Sequence, residues 1–179
     1  AMFRFSRRAI FAALALSACT SVFSQASYPD KPIRLVVPYP PGGFTDILGR
    51  QLATQLQTRL GQNVIVDNKG GGGSTIGSAM VARAPADGYT LLLVAPDLAI
   101  NESLMATRLS YDARKDFSPV IRAAWSPMVL VTHPSVPAKN VSEFLALAKA
   151  SPGKINFASG GIGTGAHLAL ELFKTRAGV

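Results

Sequence analysis

From Ile33 to about Asp97 the spacing of apolar positions changes several times, and each change predicts a new element. Short runs of consecutive apolar residues predict three strands, at Ile33–Val37, Val64–Val66 and Thr90–Val94. Apolar residues three and four positions apart predict helices at Ile47–Leu60 and Thr75–Ala84 and a further helix from near Asp97. This β-α-β-α-β-α order is typical of a parallel sheet with crossover helices. Strands without polar alternation are typical of a sheet covered on both faces.

The first predicted helix shows its apolar spacing most clearly. Its leucines at positions 48, 52, 56 and 60 stack on one face. Gly61 follows directly, and glycine is a common end of a helix.

The same alternation restarts after Phe117. It predicts extended segments at Pro119–Ala124 and Met128–Thr132, a helix at Val141–Ala150 capped by Asn140 or Ser142, a strand at Ile155–Ala158 and a last helix over Ala166–Arg176. This second unit lacks further strands to pair with. We therefore interpret the chain as truncated, with a domain boundary near Ser126.

The first 26 residues have the pattern of a secretory signal peptide. Three arginines precede the apolar stretch Ala9–Ala18, which is too short to span a bilayer, and Ser24–Ala26 ends in the small residue that cleavage requires. Two alternatives stay open: Leu16–Cys19 resembles a lipoprotein box, and Ser6–Arg8 resembles part of a twin-arginine signal. Each of them predicts export, and we expect the protein in the periplasm.

The net charge of +8 does not by itself indicate a nucleic-acid-binding protein. Three of the 18 basic residues lie in the leader, and the others are scattered among 10 acidic residues without a run of like charge. Nucleic-acid-binding proteins instead concentrate basic residues in a patch. We therefore expect no nucleic-acid partner.

Three glycine-rich loops share one layout, in which a strand is followed by glycines and then by the start of a helix. They are Pro38–Asp46, Asn68–Thr75 and Ser159–His167. Loops of this kind emerge at the carboxyl edge of a parallel sheet, where ligands bind. A helix N-terminus there presents unpaired N–H groups and favours anions. The sequence therefore predicts a site for a small anion.

Several of these residues also have a purely structural interpretation. Gly70–Gly73 could be slack chain, Thr45 or Asp46 could cap the first helix, and Ser159 could satisfy local backbone. His167 could be a packing residue rather than a donor to a carboxylate. The Asp46 carboxylate would repel an anion, so a contact with the ligand requires an ammonium, a hydroxyl or an intervening water.

An enzyme is the main alternative, because Gly161–Ala166 fits the dinucleotide fingerprint G-x-G-x-x-A. The acidic residue that this fingerprint requires would fall beyond residue 179. His133 and His167 are the only histidines, so histidine-rich metal motifs are absent. We expect no catalysis, no metal and no cofactor.

Seven short blocks, in order, resemble the Bug-type solute receptors, the extracytoplasmic subunits of tripartite tricarboxylate transporters. The blocks are Tyr28–Arg34, Val37–Asp46, Asp87–Leu92, Tyr111–Asp112, Lys115–Phe117, His133–Ala138 and Pro152–Ala158. The resemblance implies an α/β fold of the second periplasmic-binding-protein type, with two lobes that each have a mainly parallel sheet flanked by helices. Residues 27–125 would form lobe one without its returning segment, and residues 126–179 the start of lobe two.

The resemblance also implies a function and a set of site residues. The ligand would be a small carboxylate or an amino acid, the partners would be membrane transporter subunits, and the full-length protein would be a monomer. The implied ligand contacts are Gly42, Gly43, Phe44, Thr45 and Asp46 in lobe one and Ser159, Gly163, Thr164 and His167 in lobe two, with Asn68 and Ser74 from the second loop. That loop departs from the family pattern, because Gly70 stands where a proline is usual.

Overall fold

A computed structural model describes residues 27–179. Every helix and strand described below lies in the compact unit formed by residues 31–179. The predicted signal peptide and Cys19 lie outside the described residues. The elements are β1 (Ile33–Val37), α1 (Phe44–Leu60), β2 (Val64–Asn68), a 3₁₀ turn (Gly72–Ser74), α2 (Thr75–Ala82), β3 (Thr90–Leu92), α3 (Asp97–Leu104), α4 (Val141–Ala150) and α5 (Gly165–Ala177).

The three strands form one parallel sheet in the order β2-β1-β3. Ile33 pairs with Val64 on one side, and Arg34 pairs with Thr90 on the other. The central strand β1 is the most deeply buried, with Val36 and Val37 fully inaccessible. The predicted parallel sheet with crossover helices is therefore confirmed for this part of the chain.

Helix α1 packs on the sheet through small residues and through part of its leucine face, since Leu56 is partly buried against the core. Gly49 and Ala53 are buried, whereas Leu60 is exposed. A Cβ atom on Gly49 would lie 3.1 Å from Val37 Cγ2. The helix thus approaches the sheet too closely for a larger side chain at this position.

Residues 93–179 contain helices but no strands. Helix α4 begins as predicted, because Glu143 N donates to the Asn140 side chain at 3.0 Å. The predicted strand Ile155–Ala158 is wrong, and the segments around Ile121 and Val131 are irregular. A strand requires a neighbouring strand for its backbone hydrogen bonds, and residues 27–179 offer none outside the β1–β3 sheet. The apolar side chains of Ile121 and Val131 consequently remain about four-fifths exposed.

No helix within residues 27–179 has the length and apolarity needed to cross a membrane.

Candidate functional site

The three glycine-rich loops meet beyond the carboxyl edge of the sheet. Loops after β1 and β2 emerge there side by side, because their strands are parallel neighbours. The third loop contacts the second, since a Cβ atom on Gly73 would clash with the carbonyl oxygen of Ile162. All the residues predicted to bind ligand therefore lie on three loops that the fold brings together.

The first loop leaves the N-terminus of α1 open. Helix α1 begins at Phe44, after Gly43 in an extended conformation, and no side chain caps it. Phe44 is 59% exposed, and Gly42 and Gly43 are exposed as well. Gly42 has a φ of +85°, a backbone conformation that other residues rarely adopt. The amides at the start of α1 are thus available to an external acceptor, as an anion site requires.

Asp46 faces into the first loop instead of capping the helix. Its carboxylate is 2% exposed and accepts hydrogen bonds from Arg50 Nε at 3.0 Å, Gly42 N at 2.8 Å and Asn68 Nδ2 at 3.0 Å. The hydrogen bond from Arg50, followed by those from Gly42 and Asn68, lowers the pKa of Asp46 to about 2. The ionised carboxylate therefore fixes the conformation of Gly42. Its role as a ligand contact remains a prediction.

Asn68 extends this arrangement to the neighbouring strand. It is the last residue of β2, and its Nδ2 also donates to the Tyr39 carbonyl oxygen at 3.2 Å. The amide thus joins the first loop to the second at the sheet edge. The position of Asn68 supports a role in holding the loops.

The second loop is packed rather than slack. Gly70 lies against Pro40, since a Cβ atom at this position would be 3.2 Å from the Pro40 nitrogen, and Gly73 lies against Ile162. Ser74 is 2% exposed and has a φ of +76°, although it is not a glycine. The interpretation of Gly70–Gly73 as slack chain is therefore wrong.

The third loop satisfies its own polar groups. Thr164 caps α5 by accepting from His167 N at 3.4 Å, and its hydroxyl donates to the Gly161 carbonyl at 2.7 Å. Gly161 N donates to Ser159 Oγ at 3.3 Å, which is the structural interpretation of Ser159. His167 Nδ1 is buried, and within residues 27–179 it has no hydrogen-bond partner. The predicted site residues Ser159, Thr164 and His167 therefore take part in hydrogen bonds within the third loop itself.

Two residues of α3, absent from the predicted site, join all three loops. Asp97 is 2% exposed and accepts from Tyr39 Oη at 2.7 Å and from Gly165 N at 2.9 Å. Asn101, one turn later, is fully buried and donates from Nδ2 to the Gly73 carbonyl at 2.7 Å. Burial and the neighbouring Asp97 raise the pKa of Tyr39 well above its usual value. The Tyr39 hydroxyl therefore stays protonated as a donor.

A sequence signal for α3 did exist. The predicted helix near Asp97 follows β3, so its N-terminus emerges at the same sheet edge as the glycine loops. Neither α3 nor the loop before it contains a glycine, so the pattern of glycine-rich loops did not indicate this helix.

Other kinds of site find no support in this geometry. Among the described residues, no group of three or more His, Cys, Asp or Glu side chains could hold a metal. The fingerprint Gly161–Ala166 does open a helix, but the strand that should precede it is not formed. The arrangement can therefore position a small ligand against backbone amides, and it offers no dinucleotide-binding unit.

A parallel sheet whose loops converge at its carboxyl edge defines a ligand-binding α/β protein. Residues 48–179 match the family described as tripartite tricarboxylate transporter family receptors, TctC. The chain is 41% identical over 167 residues to Protein BugT of Bordetella pertussis, which covers 92% of this chain and 51% of BugT. The chain belongs to this TctC family.

Solved structures show the same relationship. The chain resembles Rpa4515 of R. palustris, solved with adipate, with a TM-score of 0.81 and 36% identity over 85% of this chain and 51% of that one. It also resembles MatC of Rhodopseudomonas palustris, solved with bound malate, with a TM-score of 0.75 and 29% identity over 85% of this chain and 52% of that one.

The chain spans about half the length of the curated relatives it matches. The family comprises periplasmic binding receptors rather than enzymes. The predicted family, fold class and location are therefore confirmed. The division into lobes at residues 27–125 and 126–179 remains a prediction.

Proposed function

We propose that the chain is part of an extracytoplasmic receptor that captures a small carboxylate or an amino acid and presents it to the membrane subunits of a tripartite tricarboxylate-type transporter. Membership of the TctC family supports the class of function. Two relatives solved with adipate and with malate support a carboxylate ligand. No chemical change of the ligand is part of this proposal.

The observation that carries the proposal is the open N-terminus of α1. The helix has no side-chain cap, its first residues are exposed, and the Asp46 carboxylate holds Gly42 in place from behind. A ligand carboxylate would accept hydrogen bonds from the amides at the start of α1. The loop is already ordered before the ligand arrives, so ligand binding costs little conformational entropy in the loop.

The energies require more than one loop. A helix terminus contributes about 0.3–1 kcal/mol to binding an anion, and about 2 kcal/mol when partly buried. Micromolar affinity requires about 8 kcal/mol. We therefore propose that the second and third loops add hydrogen bonds and exclude water from the ligand.

Roles follow from this arrangement for the predicted site residues. In the proposal Gly42, Gly43, Phe44 and Thr45 contact the ligand directly, whereas Asp46 and Asn68 hold the first loop. Ser74 belongs to the second loop and is buried there, and the third loop closes on the ligand from residues 126–179. The third-loop contacts are Ser159, Gly163, Thr164 and His167.

The proposal includes the wider predictions about partners. The ligand is the only small molecule involved, with no cofactor, and the full-length receptor acts as a monomer. Its macromolecular partners are the membrane subunits, not nucleic acid.

Isothermal titration calorimetry of the whole chain tests the function. The panel consists of adipate, malate, an acidic amino acid and an aromatic acid, with adipamide as the uncharged control that matches adipate in length. We expect at least one acid to bind at micromolar or better affinity and adipamide to give no heat. Heat from none of the acids, or equal binding of adipate and adipamide, would contradict the proposal.

A further inference from the structure

We infer that the Asp97 carboxylate is an internal competitor for the N-terminus of α5, which an anionic ligand must displace before the third loop can bind it. The inference rests on the proposed function, because it assigns Asp97 a role in the same binding site. It makes Asp97 a residue that sets affinity, although sequence reasoning did not select it.

The carboxylate of Asp97 occupies the place that a bound anion would take. Gly165 is the first residue of α5, and its amide donates to Asp97 Oδ1 at 2.9 Å. A carboxylate on the first amide of a helix is the arrangement by which helix N-termini bind anions. The second oxygen of Asp97 accepts from Tyr39 Oη at 2.7 Å, and Tyr39 Oη in turn accepts from Ala95 N at 3.0 Å. Both oxygens of a buried charge are thus engaged within the chain.

Most of the remaining amides at the start of α5 already have hydrogen-bond partners and are not available to a ligand. His167 N donates to Thr164 Oγ1 at 3.4 Å, and Leu168 N donates to the Thr164 carbonyl at 3.1 Å. Three of the first four amides of α5 therefore have partners in this arrangement. Among these partners Asp97 alone is charged and comes from another helix, so its release would free a donor without uncapping α5.

Helix α3 also holds the third loop at a second point. Gly163 packs so closely on Asn101 that a Cβ atom there would overlap Asn101 Oδ1. The same Asn101 donates to the Gly73 carbonyl. The third loop consequently packs on α3 while Asp97, a residue of α3, accepts the hydrogen bond from Gly165 N.

Asp97→Asn separates the charge of this side chain from its shape. The amide oxygen can still accept from Gly165 N, but a hydrogen bond to a neutral acceptor is about half as strong as one to a carboxylate. An incoming carboxylate therefore competes better, and we expect about tenfold tighter binding of the acid that wild type binds best in the calorimetric panel. A gain in affinity cannot result from misfolding.

The matched control is Asp87→Asn. It removes the same charge from an exposed carboxylate before β3, at the opposite edge of the sheet. The charge of Asp87 is exposed and therefore screened by solvent and salt. The Kd of Asp87→Asn for the acid should consequently stay within about twofold of the wild-type value. Equal gains in the two variants would show a general effect of net charge and would overturn the inference.

The outcomes separate this inference from the proposed function. Equal or weaker binding by Asp97→Asn, in a wild type that binds acid, overturns the inference alone. No binding by either protein contradicts the proposed function as well. Acid binding by the variant alone supports both.

A second measurement needs no variant. The ¹⁵N–¹H resonance of Gly165 in wild type should move when the protein is saturated with the acid, because its amide changes partner. An unmoved Gly165 resonance in saturated protein overturns the inference.

Discussion

The first and third glycine loops follow the same plan in the sequence, but the helices that follow them begin in different surroundings. Helix α1 starts with no side-chain cap, at an exposed turn. Helix α5 starts with its own cap, Thr164, and with the carboxylate of Asp97 on its first amide. The glycine pattern marks a helix N-terminus at a sheet edge, and only the surrounding side chains decide whether that terminus is free.

In the proposed binding mode, the two helix starts therefore have different roles. The acidic residue of the first loop, Asp46, lies behind the backbone and leaves the amides at the start of α1 free. The acidic residue near the third loop, Asp97, accepts a hydrogen bond from the first amide of α5, Gly165 N. This difference predicts that changes at the first loop affect binding more than equivalent changes at the third.

The largest effect is expected from Gly43→Val. A branched side chain there would block the approach of a ligand to the first amides of α1, and carboxylate affinity should fall at least about a hundredfold, or about 2.8 kcal/mol. Folding should be little affected, because the nearest atom to a Cβ on Gly43 is the Pro40 carbonyl oxygen at 3.7 Å and φ is −77°. Calorimetry and a thermal melt measure the two effects.

Gly160→Val is the matched control in the third loop. A Cβ on Gly160 also has room, with its nearest contact at 3.6 Å from Thr164 Cγ2. We expect a loss of affinity of less than about tenfold, because Asp97 rather than the ligand occupies this helix start. A greater loss from Gly160→Val than from Gly43→Val would reverse the comparison.

A smaller effect is expected from Asp46→Asn. The neutral side chain holds Gly42 and Arg50 less firmly, so the first loop becomes less ordered and carboxylate affinity should fall about tenfold. Circular dichroism should show the fold retained, and unchanged affinity would mean that Asp46 does not order the loop.

The same variant should change the dependence of stability on pH. The pKa of Asp46 is lowered in the folded protein from 3.8 to about 2, so the carboxylate stabilises the fold above pH 4 and this contribution is lost as the pH falls through about 2. In urea unfolding, wild type should lose more stability than Asp46→Asn between pH 4 and pH 2. Parallel curves for the two proteins would contradict the lowered pKa.

The smallest effect on stability is expected from Gly43→Ser, which converts the start of α1 towards that of α5. Gly43 already has the extended conformation of a capping residue, so a serine hydroxyl should cap the helix and stabilise the protein by a few tenths of a kcal/mol, roughly. The same hydroxyl competes with the ligand for the amides, and affinity should fall several-fold. A variant that is more stable and also binds more tightly would show that these amides do not contact the ligand.

Much of the first half of the fold could be predicted from the sequence because its signals are local. The bounds of β1 agree fully, and Asp97 does begin a helix. The strand predicted at Ile155–Ala158 is wrong because strand formation depends on a partner, which no local pattern reports. The burial of Gly49 under the sheet was missed for a similar reason, since helix packing is decided by what lies opposite.

The candidate site could be predicted as a set of loops but not as a set of contacts. The glycines and the sheet order bring the three loops together. Whether Asp46 lies behind the backbone and whether Asp97 reaches Gly165 depend on side-chain positions across distant segments. The sequence separation between Asp97 and Gly165 puts that contact beyond any motif.

In the proposed binding mode, the backbone amides at the start of α1 are the main hydrogen-bond donors to the ligand carboxylate. A crystal structure of the whole chain with the tightest-binding acid of the panel tests this most directly. We predict a ligand carboxylate oxygen about 2.9 Å from the nitrogen of Phe44 or Thr45. A carboxylate held mainly by arginine or lysine side chains, or bound away from residues 42–46, would contradict the account.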